Sequence, residues 1–341
     1  MKSRKQMILF CRKSLGIPES VSLELSPLEG RGSERVFFRL KWEGEGSAIL
    51  VHYYPKRIEN TYYAGIAAFL SEIKVPVPRV VRHDSAACLI LLEDLGNEDL
   101  WSLRNTPWET RGLLYRKTLT VLQRLHSFPE KDFPSARVRL KEGFGPDLYR
   151  WERKYFRDHF VQNFCGIELE RSFERELEAE LSALASRLSG TVRCLVHRDL
   201  QSQNVMIREG EPFLIDFQGM RFGSSFYDLG SLLCDPYVAL SAGERDELLS
   251  FSYGLSRENL HWPTFQNCFW EASAQRLMQA LGAYSFLGLQ KRLKAFLEHI
   301  PAGLRNLQQA ARQATSLPRL LGLSLACQQS LEKKKQKEGR F

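Results

Sequence analysis

Paired cysteines, long apolar runs and internal repeats are all missing from this sequence. Its seven cysteines are scattered from Cys11 to Cys327 with no CxxC pair. That excludes a disulfide framework and suits thiols that serve as small buried apolar residues in a reducing cytoplasm. No apolar stretch approaches the roughly 18–20 residues that a membrane span needs. The N-terminal "MKSRKQMILFCRK" holds only "MILF" as an apolar core, too short for a secretory signal. The body of the chain also lacks an excess of charge of either sign. Of the net +8, residues 1–13 carry +5 and residues 333–341 carry +4, which leaves −1 for everything between. The basic excess sits in two tails, so nucleic acid is not the expected partner.

What remains is an ordinary globular composition in 341 residues, enough for one large core or two lobes. "SERVFFRLKW" and "SAILVHYYP" are rich in β-branched and aromatic residues and are separated by the turn signal "EGEG", which predicts paired strands. A helix is expected over 59–73, stopped by the prolines of "VPVPRV". "ACLILLEDLG" reads as a buried strand that leads into a connector at Glu93–Asn97. Beyond residue 100 the pattern turns helical, over 107–127 and 147–164. Leu169, Phe173, Leu177, Leu181, Leu184 and Leu188 then mark one helix face, read as core packing. Two short strands interrupt near residues 195–216, and helices resume from Tyr227 to about 328. The expected fold is α+β and bilobal. Residues 1–95 form a small antiparallel sheet with one main helix, 96–330 a larger helical lobe, and 331–341 a disordered basic tail.

The interruption carries the chemistry. In "LVHRDLQSQNVMIREGEPFLIDFQGM" (195–220), two apolar runs each end in a polar cluster, although Asp and Asn are poor strand formers. Strand-end capping explains such residues singly, but HRD, an Asn five residues on and a second Asp after an apolar run form a specific set. Phosphoryl transfer needs one carboxylate to orient an acceptor hydroxyl and take its proton. It also needs hard oxygen ligands to hold Mg²⁺ against phosphates. Asp199 fits the first role, and Asn204 and Asp216 fit the second.

"HRDLQSQN" and "IDFQG" resemble the catalytic and metal loops of the aminoglycoside phosphotransferase and choline kinase superfamily, which has a protein-kinase-like fold. "LILLEDLG" and "YDLGSLLCDPY" extend the resemblance, which spans roughly residues 25–315. "GSERVFFRL" and "QRLMQALGAYSFL" point within it to bacterial anomeric kinases of N-acetylmuramate and N-acetylglucosamine. The resemblance implies an ATP- and Mg²⁺-dependent enzyme. His197 and Arg198 would buttress the catalytic loop with Asp228, whose rival role is a helix N-terminal carboxylate. Glu93 and Leu95 would meet the adenine, and Gly30, Gly32, Ser33 and Arg35 the phosphates. Only nine residues, Phe217–Ser225, separate Asp216 from the next helical stretch, and no APE motif follows. A peptide platform does not fit there, so the expected acceptor is a small sugar or amino sugar. The expected setting is a cytoplasmic monomer with no membrane partner.

Two features depart from the pattern. Arg35 stands where a third glycine is usual, and a plain hairpin also explains Gly30 and Gly32. The strand "AILVHYY" lacks the lysine that clamps phosphates and offers His52 nearby, while Arg35 is either a replacement phosphate donor or a solvated strand arginine. Such a loss costs about 1.5–3 kcal/mol, which weakens a kinase without abolishing it. For the acceptor, "YRWERKYFRDHF" (149–160) offers Glu152 among aromatics that also suit core packing. Gln201 and Gln218 either contact the sugar or brace their loops, and Arg276 either meets a substituent or forms an internal salt bridge. An aminoglycoside kinase and a catalytically silent nucleotide-binding protein are the alternatives.

Overall fold

Period-two alternation in the first hundred residues builds a sheet with two differently occupied faces. The computed structural model describes residues 3–28, 35–44, 46–257 and 259–338. Helix α1 (Arg4–Leu15) precedes strands β1 (Leu23–Leu28), β2 (Val36–Trp42) and β3 (Gly46–His52). Helix α2 (Tyr63–Glu72) and the hairpin β4 (Val80–Asp84) and β5 (Leu89–Glu93) follow. The five strands pair antiparallel in the order β1-β2-β3-β5-β4. Register sets Leu25 beside Leu40 and Ala48, and Leu50 beside Leu91, on one face. Met7 and Cys11 of α1 cover that face. Phe37, Val51 and Ile90, with Arg39, Ile49 and Leu92, lie on the other, toward the cleft.

Helix α1 is a second helix in a lobe expected to have one. Ser3 caps it reciprocally with Gln6, and Gly16 ends it at φ 67°, a left-handed conformation that glycine adopts without steric cost. Part of the basic N-terminus is therefore folded. The charge count hid this because only two α1 side chains, Met7 and Cys11, are buried.

The connector leaves β5 and pairs with the second lobe. Leu100 N donates to Val205 O at 3.0 Å, and Ile207 N donates to Glu98 O at 2.8 Å. That lobe holds α3 (Trp108–His126), α4 (Pro146–Phe156) with a π-helical extension Arg157–Phe164, and α5 (Arg171–Ser189). Four short strands follow rather than two: β6 (Arg193–Val196), β7 (Val205–Arg208), β8 (Glu211–Leu214) and β9 (Arg221–Ser224). β7 pairs with β8, and β6 pairs with β9 across the intervening hairpin. Four-residue strands are too short to show alternation, so β7 and β9 left no pattern to read.

Helices α6 (Ser225–Leu233), α7 (Ala242–Leu255), α8 (Trp262–Ser285), α9 (Ile300–Gln313) and α10 (Pro318–Glu338) complete the chain. Helix α10 continues through residues 331–338 of the expected tail; Leu331 packs on the core and Lys334 Nζ donates to Phe164 O at 2.7 Å. Most of α8 is buried, because α4, α6 and α9 surround it, and its buried positions include the polar Glu271, Ser273, Gln275 and Arg276. Small residues let neighbours approach. At Gly230 of α6, a Cβ would lie 2.8 Å from Ser273 Cα of α8.

Gly230→Ala must push two backbones apart and is expected to lower stability by about 1–3 kcal/mol in urea unfolding. Gly243→Ala, near the start of α7 with nothing within 4 Å, is expected to be neutral or stabilising by up to about 1 kcal/mol. Equal effects of the two would show that α6 and α8 are not in tight contact.

Candidate active site

A cleft of about 830 Å³ runs between the sheet and the second lobe. Phe37, Ile49, Val51, Ile90 and Leu92 form its sheet wall, Glu93–Asn97 its rear, and the loops after β6 and β8 its floor. The aspartates sit at strand ends because β6 and β8 deliver both polar loops to this opening.

The catalytic-type loop is held from behind by main-chain contacts. Asp228, fully buried on α6, accepts hydrogen bonds from His197 N at 2.7 Å and Arg198 N at 2.8 Å. Two consecutive N–H groups converge on one carboxylate only if the chain bends sharply, and Arg198 adopts φ 78°. His126 of α3 reaches the same carboxylate, with Nε2 3.1 Å from Asp228 Oδ2. His197 Nε2 lies 2.9 Å from Ile215 O and donates to it, while Nδ1 accepts from Asp199 N at 3.3 Å. These partners fix the neutral tautomer and tie the two polar loops together.

A second carboxylate, just past the C-terminal end of α6, holds the middle of the loop. Asp235 Oδ2 accepts from Ser202 N at 2.7 Å and Ser202 Oγ at 2.6 Å, and Oδ1 accepts from Tyr237 N at 3.0 Å. Burial raises the Asp235 carboxyl to about 6, against the lowering effect of these hydrogen bonds. Asp228 lies in the first turn of α6 and Asp235 two residues past its last residue, Leu233, so the segment bearing Asp199 is restrained from both ends of this short helix.

The side chains in the cleft are equally constrained. Asp199 Oδ1 accepts from Arg276 Nη2 at 2.8 Å, and Asn204 Nδ2 donates to Asp199 O at 2.8 Å. The second pairing leaves the Asn204 amide oxygen as a donor atom for a ligand. Asp216 adopts φ 65°; its carboxylate is paired with Arg35 and accepts from Gln218 Nε2 at 2.8 Å. Burial alone would raise the Asp216 carboxyl, but the Arg35 charge and these hydrogen bonds hold it below the usual carboxylate range. Phe217 stacks on Tyr63 of α2 at 4.5 Å between ring centres, which anchors the loop to the first lobe. Asn204 and Asp216 supply two hard oxygen donors, and no group of three or more His, Cys, Asp or Glu among the described residues is arranged to hold a metal ion by itself. That set fits a hard divalent cation completed by oxygens of a ligand.

Asp199, Asn204, Asp216, Arg35, Arg198, Gln201, Gln218, Arg276, Glu93 and Leu95 all border the cleft. Gly30, Gly32 and Ser33 lie outside the described residues. His52 shares the pleat face of Leu50, turned from the cleft, whereas Arg35 reaches Asp216 and Gln218. Arg35, rather than His52, is therefore the cation beside Asp216. Glu152 does not border the cleft. It is buried on α4, accepting from Tyr227 Oη and Gln275 Nε2, each at 2.9 Å. Among the aromatics of that helix, Tyr155 borders the cleft, while Tyr149 and Phe156 are core. His126, Asp235 and Arg221 escaped the sequence reading. Asp235 had left a signal, a second acid two turns after Asp228 in "YDLGSLLCDPY".

A family model described as the phosphotransferase enzyme family matches residues 24–261. The chain belongs to that family. Over 217 residues it is 27% identical to an N-acetylmuramate/N-acetylglucosamine kinase of Pseudomonas aeruginosa, covering 63% of this chain and 61% of that one. A protein of the same description from Neisseria meningitidis is 26% identical over 204 residues, covering 60% and 59%. The chain spans about three fifths of the length of these relatives. Among solved structures, a choline/ethanolamine kinase family protein from Mesorhizobium loti superposes with a TM-score of 0.60 at 16% identity, covering 93% and 99%. Choline kinase of Cryptosporidium parvum gives 0.61 at 14% identity, covering 92% and 96%. These likenesses show the bilobal, protein-kinase-like fold of this phosphotransferase.

Turnover of the phosphotransferase is expected to fall as pH drops through about 6, where Asp235 takes up a proton and loses its charge-assisted hold on Ser202. The folded-state pKa is raised, so the carboxylate opposes folding above that pH. Its protonation relieves the cost between about 6 and the unfolded value of about 3.9. Loss of activity in that window is therefore not loss of fold through this group. Asp235→Asn is expected to flatten the acid limb and run about tenfold or more below wild type. An unchanged acid limb in the variant would assign the ionisation elsewhere.

Proposed function

We propose that this protein is an ATP- and Mg²⁺-dependent kinase that phosphorylates the anomeric hydroxyl of an N-acetylated amino sugar, N-acetylmuramate or N-acetylglucosamine. The observation that carries the reading is the convergence of Asp199, Asn204 and Asp216 on one cleft, each held by a separate fixed partner. Asp199 orients the sugar hydroxyl and takes its proton as the P–O bond forms. Arg276 sets the carboxylate rotamer. Asn204 and Asp216 are the residues that hold Mg²⁺, which when bound neutralises charge on the nucleotide phosphates. Arg35 stands at the phosphate end in place of the strand lysine, and Glu93–Leu95 at the rear receives the adenine. The retained acidic and amide groups argue for an active enzyme over a silent one.

The names of the relatives support an amino-sugar acceptor, and the cleft's charges agree. Arg198, Arg221, Lys141 and Arg276 line the acceptor side. A cationic aminoglycoside or choline calls for an acidic wall, whereas the acids on this side, Asp199 and Glu59, are paired with Arg276 and Lys141. Only β9 and a turn lie between Asp216 and α6, which leaves no platform for a peptide. The reading places the enzyme in cytoplasmic salvage of cell-wall sugars.

Incubation with ATP, Mg²⁺ and a panel of N-acetylmuramate, N-acetylglucosamine, kanamycin, choline and homoserine is expected to yield a sugar phosphate by mass spectrometry. Asp199→Asn is expected to cut the rate about 10²–10⁴-fold with the fold intact by circular dichroism. Phosphorylation of kanamycin or choline instead of either sugar would overturn the acceptor assignment. Intact ATP with every member would overturn the enzyme.

A further inference from the structure

Most charges in the cleft have assigned partners: Arg35 has Asp216, Arg39 has Asp94, and Arg276 has Asp199. Two guanidinium groups do not. Arg198 makes hydrogen bonds through its main chain, but its guanidinium has no hydrogen-bond or ion-pair partner among the described residues. Arg221, 8% exposed, donates Nε to Gly219 O at 3.1 Å and lies over the Phe144 ring, with no carboxylate in ion-pair contact. Both border the cleft beside Asp199. They also repel each other: burial first, then the Arg198 charge, pushes Arg221 down to about 10. Two adjacent cations, one of them buried, are costly without a counter-ion. The Glu152 and Glu59 charges act on Arg221 from a distance, but neither is in ion-pair contact with it, and the Glu152 oxygens accept from Tyr227 and Gln275.

The position of the pair separates it from the nucleotide. The Arg35 charge acts on Asp216 and on Tyr63 of α2, at the phosphate end. The Arg198 charge acts on Glu152, Tyr155 and Tyr227, which belong to α4 and α6 on the acceptor side. Lys141 adds a third cation to this wall, 3.8 Å from Glu59.

We propose that Arg198 and Arg221 form a subsite for an anionic substituent of the acceptor, a carboxylate, so that the enzyme prefers an acidic amino sugar to a neutral one. The proposal rests on the amino-sugar reading and deepens it by naming what distinguishes the two candidate sugars. A carboxylate accepts a planar pair of N–H donors from a guanidinium in a way that a hydroxyl does not.

Equilibrium binding by calorimetry tests the subsite without requiring turnover. The probes are N-acetylmuramate, its methyl ester, N-acetylglucosamine and N-acetylglucosamine 1-phosphate, each titrated into wild type, Arg221→Gln and Arg221→Lys. Wild type is expected to bind the free acid about 10- to 100-fold more tightly than the ester. Arg221→Gln is expected to erase most of that ratio, and Arg221→Lys to keep part of it. Equal binding of acid and ester to wild type, or equal weakening of both in Arg221→Gln, overturns the subsite. If Arg221→Gln weakens only the sugar phosphate, the pair serves the transferred phosphoryl group and the carboxylate assignment falls. Absence of binding by every sugar overturns the amino-sugar reading itself. Sugars that bind and are phosphorylated without an acid–ester difference overturn the subsite alone.

Discussion

The loop that carries Asp199 is held by two buried carboxylates, one on a short helix and one just past its end, and the rest of the site depends on that restraint. Asp228 takes the main-chain N–H groups of His197 and Arg198, and Asp235 takes both donors of Ser202. Charge-assisted hydrogen bonds of this kind are each worth about 1.5–3 kcal/mol. Here they offset a left-handed arginine and the burial of two acids. Helix α6 can serve as this strut because it is itself locked: Gly230 lets it lie against α8, and Arg245 and Asn306 bond the Leu233 and Cys234 carbonyls at its end. Helix α8 then returns Arg276 to the Asp199 carboxylate. The main chain of the loop is thus held from α6 and the turn after it, and the Asp199 side chain from α8.

The first lobe joins the site through three different kinds of contact. Arg35 is ion-paired to Asp216, Phe217 stacks on Tyr63, and the connector pairs with β7. Together they join the start of β2, α2 and the connector to the segment from β7 to Phe217. Arg35 stands beside Asp216 where the strand offers no lysine. Pleat parity turns His52 toward α1 and leaves Ile49 and Val51 on the cleft face. The cation comes instead from the residue just before β2, at the mouth of the cleft.

Legibility followed the range of the interactions. The motif from His197 to Asp216 was readable because its spacing is local and its residue types are poor choices for the strands they follow. The α5 stripe was equally plain, and its expected face is the buried one at Leu177, Leu181, Leu184 and Leu188. Helix α1 was read as charge because only two of its positions are buried. The strands β7 and β9 were too short to show a period. Glu152 looked like a pocket acid among aromatics, yet α4 turns it inward to Tyr227 and Gln275, and nothing within residues 149–160 could reveal partners 75 and 123 positions away.

The sequence by itself determined the two-lobed plan, the phosphotransferase motif and the short span after "DFQG" that excludes a peptide platform. All three are local patterns of residue type and spacing. Only the tertiary structure decided which arginine faces which carboxylate. Arg35 with Asp216, Arg276 with Asp199, and the unpaired Arg198 and Arg221 are separated or joined by packing across the fold. Electrostatic pairing depends on distance and burial, and neither is written into a one-dimensional order of residues.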